Sequence, residues 1–149
     1  MKKLWNKIPN TQTRVSPGLC VLFFLISFTW ALPQTLLGLL LFLLNLREKH
    51  SIHRSAVLTE WKKEYYGISL GLFIFTGHSA ELGFRDHEYG HCVQSLLLGP
   101  FFLPVIGLPS ILWCMLPVFR KLRRKKNISY FAFYTESWAE RISAGVRDF

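Results

Sequence analysis

His87-Glu88-Tyr89-Gly90-His91 sets two imidazoles four residues apart, with a carboxylate beside the first. On a helix, positions i and i+4 share one face a single turn apart. Both rings can then reach one tetrahedral Zn²⁺. Glu88 falls next to the metal, where a carboxylate can take a proton from a bound water and pass it to a leaving group. With five histidines and nine acidic residues in 149, chance supplies only about 0.01 matches to H-E-x-x-H.

Two histidines are an incomplete set, because a catalytic zinc has three protein ligands and water. No histidine follows His91, Cys114 sits in an apolar run, and Asp148 is almost terminal. Glu136 and Glu140 remain, one turn apart on a helical face. One can ligate while the other hydrogen-bonds a ligand histidine from behind. Spacing leaves open which of the two ligates; the competing reading is a solvated acidic face. Tyr130, Tyr134, His78 and Arg85 are unranked candidates to donate to a substrate carbonyl oxygen.

The composition describes what must position these groups. The chain is 50% hydrophobic and 15% aromatic, with a formal net charge of +9. Its apolar runs are too long for a basic nucleic-acid binder, and the charge clusters beside them, as it does next to anionic lipid headgroups. Lys2, Lys3, Lys7 and Arg14 precede an uncharged stretch from 17 to 46. That stretch is about twice the ~7–15 residues of a signal-peptide core, so a retained membrane anchor is expected. Pro33 interrupts it, leaving open a tilted, kinked span or a hairpin of two half-helices. Residues 47–66 are polar and amphipathic and predict a partly helical interfacial stretch, with His50 and His53 on its solvated face. Residues 67–76, β-branched and aromatic, predict a strand, with a bulge or close backbone approach at Gly71. Asp86 is the expected start of the metal helix, which runs to Leu98. Cys20, Cys92 and Cys114 lack ligand spacing and are expected to be reduced, small apolar residues.

The pattern resembles the gluzincin metallopeptidases, above all the membrane-bound group that includes the CAAX-prenyl endopeptidases. In these a strand and an H-E-x-x-H helix are followed by a helix carrying E-x-x-A-D. Glu136-Ser137-Trp138-Ala139-Glu140 matches that later segment except for Glu140, where the family has Asp; the resemblance implies Glu136 as the third ligand and Glu140 as the supporting carboxylate. The chain is also similar to a family of small prokaryotic membrane proteins, at positions 86–91, 94–95, 98–100, 103–110 and 134–139. The resemblance covers the C-terminal half and implies a fold and a metal site, not a substrate.

If Glu136 completes the site, the run from 92 to 119 must enter and return. Each limb would be about ten to fifteen residues, ~15–22 Å, short of a ~30 Å hydrocarbon core. The expected fold is therefore one mainly α domain over 1–149. It comprises an anchor (17–46), a strand or hairpin plus the H-E-x-x-H helix (67–98), a re-entrant or hairpin segment (99–119) and a third-ligand helix (130–149). The basic cluster from Arg120 to Lys126 is expected to put the zinc side in the cytoplasm, and the resemblance implies a prokaryotic inner membrane. The expected activity is peptide-bond hydrolysis by a zinc-activated water, on a peptide or membrane-protein substrate among lipids, with no nucleic-acid partner. The alternatives are a non-catalytic membrane protein with a structural zinc site and a zinc hydrolase of lipid or cell-wall precursors.

Overall fold

The computed structural model describes residues 15–64 and 66–147. Lys2, Lys3, Lys7, Arg14 and Asp148 lie outside the described residues. The fold is mainly helical, with one small mixed sheet.

The uncharged N-terminal run forms two helices, α1 (Pro17–Ser27) and α2 (Leu32–Leu44), bent by 99° at their junction. The break falls before Pro33, which occupies the first turn of α2. There its missing N–H costs no helical hydrogen bond.

Residues 47–66, expected to be partly helical, instead form a β-hairpin of β1 (Lys49–His53) and β2 (Ala56–Trp61), antiparallel from Lys49↔Glu60 to His53↔Ala56. His50 therefore does not lie on a solvated helix face: it is half-buried and hydrogen-bonds Thr59 at 3.1 Å. His53 is buried and donates to Asp86 at 3.0 Å.

The expected strand over 67–76 is a second hairpin, β3 (Ile68–Leu70) and β4 (Phe73–Gly77). Gly71 is its turn rather than a bulge, with φ +61°, and a Cβ there would lie 2.0 Å from Thr35 Oγ1 on α2. The strand order is β1-β2-β4-β3, with β2 and β4 parallel. Central β4 is buried throughout, and its Phe73, Ile74 and Phe75 join Leu58, Trp61, Tyr89 and Cys92 in the core. β3 is left as an edge, hydrogen-bonded to β4 on one side only.

The metal helix, α3 (Leu82–Leu98), begins a turn before the expected start. Asp86 is no cap. It is buried inside the helix and takes hydrogen bonds from His53 and from Arg54 Nε, each at 3.0 Å. Burial alone would raise the Asp86 pKa; these two donors outweigh it and hold the carboxyl below its ordinary value.

After α3 the chain turns through Gly99–Phe101 and a π-helical turn at Leu103–Gly107 into α4 (Leu108–Met115). It then bends by 71° into α5 (Pro117–Lys126) and ends in α6 (Tyr134–Arg147). Among the described residues no single helix is long and apolar enough to cross a membrane. The bent pairs α1–α2 and 103–126 have the length and composition only when taken together.

Candidate metal centre

α3 makes its most extensive contact with α6. The two backbones meet at Gly90, where a Cβ would lie 2.4 Å from the carbonyl oxygen of Ala139. This approach brings Glu136 to the imidazoles of His87, three residues before Gly90, and of His91, the residue after it. Glu136 Oε2 lies 3.1 Å from His87 Nε2 and 3.5 Å from His91 Nε2. All three side chains are buried, and their ligand atoms lie within 4.8 Å of one another.

The outer ring nitrogens are held as well. His87 Nδ1 donates to Glu140 Oε2 at 3.0 Å, and His91 Nδ1 donates to Gln94 Oε1 at 2.7 Å. Gln94 Nε2 in turn donates to the carbonyl of Thr135 at 3.0 Å, which fixes the orientation of the Gln94 amide. Both Nε2 atoms therefore face the Glu136 carboxylate. Its other oxygen, Oε1, accepts from Ser110 and, at 3.2 Å, from Thr135.

This group can hold a metal ion. Two imidazoles and a carboxylate are a zinc donor set, and ligands about 2.05 Å from a tetrahedral ion lie about 3.3 Å apart. The two donor separations at Glu136 bracket that value. Without a metal, a proton fills part of the role. Burial disfavours the His87 cation, but the hydrogen bonds to Glu136 and Glu140 prevail and raise its pKa to about 9. Glu136 shows the converse: burial would raise its pKa, yet His87 and His91 hold it well below the ordinary carboxylate range.

Glu88 is buried beside the cluster. Its Oε2 lies 2.6 Å from the hydroxyl of Ser69 on β3. Glu88, His87, His91 and Glu136 all line one cavity of about 430 Å³. One wall of the cavity is the β3 edge, residues 67–70. Another is apolar, with Phe102, Ile106, Leu108 and Ile111 from the returning segment.

Of the four candidate donors to a substrate oxygen, only Tyr130 lines this cavity. Burial and the charge of Glu136 push its pKa up, so its hydroxyl keeps its proton. Tyr134 donates instead to the Val105 carbonyl at 2.5 Å. His78 and Arg85 are both drawn to Glu60, at 3.6 and 3.0 Å. The three cysteines are free thiols; Cys92 is fully buried, which pushes its pKa up.

Sequence reasoning assigned no role to Gln94, Ser69, Ser110 or Gly90. Gln94 carried a usable signal: it stands three residues after a candidate ligand, on the same helical face. Ser69 and Ser110 carried none, because their contacts span 19 and 26 residues. No family model, curated protein or solved structure matches the chain. The site is therefore read from its own residues.

Proposed function

We propose that the chain is a membrane-associated zinc metallopeptidase of gluzincin type. The observation that carries this reading is the convergence of His87, His91 and Glu136 from two helices, with Glu88 facing the same cavity. His87, His91 and Glu136 would hold the ion. Bound zinc supplies a Lewis acid that makes water acidic and polarises a carbonyl. The Glu88 carboxylate, steadied by Ser69, takes a proton from water in the cavity and returns it to the leaving amine. Tyr130 donates its hydroxyl hydrogen to the substrate oxygen. Among the described residues β3 pairs with no strand beyond β4, and along the cavity wall an extended peptide can add to it as a further strand.

Membrane association is supported by the outer face of α2. The helix buries Gln34, Thr35 and Gly38 and packs Leu39, Leu41 and Phe42 on the core, whereas Leu36, Leu37, Leu40, Leu43 and Leu44 face outward. Gln34 Nε2 donates across to Ser95 Oγ at 2.8 Å and the Gly99 carbonyl at 2.9 Å, joining α2 to the end of α3. Polar contacts within and leucines without suit a lipid environment. In this reading the returning segment 99–119 dips into the bilayer beneath the site, and the cations of α5 favour the cytoplasmic side. The apolar cavity wall also favours a second reading, hydrolysis of an ester or amide within a lipid or cell-wall precursor.

The test is Glu88→Gln in the full chain, reconstituted in bilayers, loaded with zinc and offered peptide and lipid substrates. Zinc content should be unchanged and hydrolysis should fall at least ~10²-fold. Undiminished turnover would dismiss Glu88 as the base. If Glu88→Gln leaves the cellular role intact, the zinc site is structural. The products distinguish peptide from lipid chemistry.

A further inference from the structure

The cations of α5 are sorted by direction. Arg123 turns inward: its guanidinium lies 4.9 Å from the Trp113 ring and 5.3 Å from the Tyr130 ring, and it donates to the Trp113 carbonyl. Phe119 packs beside it, its ring 5.5 Å from that of Trp113 and tilted by 47°, and Leu122 is also half-buried. At 3.6 residues per turn, Arg120, Lys121, Arg124 and Lys125 fall within an arc of about 140° on the opposite side of the helix. All four are exposed, and none has an acidic partner among the described residues.

Uncovered aliphatic side chains continue from this arc. Val118 is 71% exposed and Met115 64%, with Leu116 next to them and Ile111 and Leu108 further along α4. A helix with cations on one flank and bare aliphatic groups on the other matches the boundary between headgroups and acyl chains. A nucleic-acid surface would instead set stacking aromatic groups among its cations. Here the neighbouring aromatics, Trp113 and Phe119, are turned inward.

We propose that this face of α5 docks on the anionic headgroups of a phospholipid bilayer, with Val118, Leu116 and Met115 entering the acyl region alongside. The proposal rests on the membrane association argued above and is independent of the metal. Arg120, Lys121, Arg124 and Lys125 face the phosphates, while Arg123 fastens the helix to the wall that carries Tyr130.

The test uses the full chain in nanodiscs of phosphatidylcholine alone or mixed with phosphatidylglycerol. An impermeant amine-acetylating reagent is applied, and modification is read at each lysine by mass spectrometry. Lys62, exposed and outside α5, is the internal reference. Phosphatidylglycerol should slow acetylation of Lys121 and Lys125 by at least about tenfold relative to Lys62. The protection should vanish near 1 M salt, where the Debye length is about 3 Å. The double variant Arg120→Gln, Arg124→Gln should lose most of it. Equal rates in the two lipid compositions would overturn the proposal. So would protection by an RNA oligonucleotide in pure phosphatidylcholine discs that matches or exceeds the lipid effect. The measurement is repeated with a zinc chelator; lipid protection should persist there even if the metal reading fails, and its loss would overturn the claimed independence.

Discussion

Gly90→Ala should damage the metal centre without touching a ligand. The new Cβ would lie 2.4 Å from the Ala139 carbonyl oxygen, 3.0 Å from its carbonyl carbon and 3.2 Å from its Cα. Favourable separations between non-bonded carbon atoms are about 3.5–4.0 Å. Both partners are helix backbone, so no side chain can swing aside, and α6 must retreat by up to about 1 Å. The 3.1 Å from His87 Nε2 to Glu136 Oε2 would then open toward about 4 Å, beyond the ~3.3 Å spacing of tetrahedral zinc ligands. Overpacking of this kind costs about 1–3 kcal/mol. Hydrogen bonds between the helices tolerate a wider spacing than a tetrahedral ion does, so most of that cost falls on the loaded state. At 1.4 kcal/mol per decade, zinc affinity should drop about 5- to 150-fold. Competition with a chromophoric chelator measures the affinity, and circular dichroism checks that the helices persist. Gly145→Ala is the control. It lies on α6, the helix that Gly90 packs against, with nothing within 4 Å of the added carbon, and it should leave zinc affinity unchanged. A folded Gly90→Ala protein that binds zinc as the wild type does would refute the claim that this crossing holds the site closed.

Purified protein should carry about one zinc per chain, and His87→Ala, His91→Ala or Glu136→Ala should each remove most of it, as elemental analysis would show. Full occupancy in Glu136→Ala with an empty site in Glu140→Ala would reverse their roles. Glu140→Gln should lower zinc affinity about 10- to 100-fold, because it weakens the bond that orients His87 through Nδ1. The affinity should also depend on pH. His87 in the metal-free protein binds its proton with a pKa raised to about 9, and a metal must displace that proton. Apparent affinity should therefore be level above pH 9 and fall about tenfold per unit below it, with release of a proton detectable by calorimetry in buffers of different ionisation enthalpy. A flat profile between pH 7 and 9 would contradict the raised pKa.

What the sequence made legible was whatever depends on spacing along one helix. The i, i+4 pairs His87/His91 and Glu136/Glu140 could be placed on common faces by period alone. The β1–β2 hairpin could not. Its sequence holds Glu60 and His53 at buried positions, which reads as the polar side of an amphipathic helix. Those groups are satisfied by Arg85 and Asp86, which are 25 and 33 residues away. Asp86 misled in the same way. An acid just before a helical motif suggests a cap, but its charge is matched by Arg54, whose left-handed φ of 56° at the hairpin turn points its side chain at α3. Local pattern cannot report a partner brought in by the sheet.

The site was more legible than the fold because nearly all of it lies on two helices. Glu136 and Glu140 straddle a single imidazole: one faces His87 Nε2 at 3.1 Å and the other accepts from Nδ1 at 3.0 Å. One turn of α6 thus addresses both nitrogens of the same ring. The Glu140 carboxylate reaches Nδ1 although the side chain is 34% exposed. Glu136 is pinned in depth by the crossing at Gly90, whereas Glu140 approaches from the rim, where solvent-facing rotamers are open to it. Ser69 and Ser110 then supply from β3 and α4 what the helix pair lacks, a hydroxyl on Glu88 and another on Glu136. A chain of 149 residues can build a buried three-donor site because two helices that touch backbone to backbone need so little else around them.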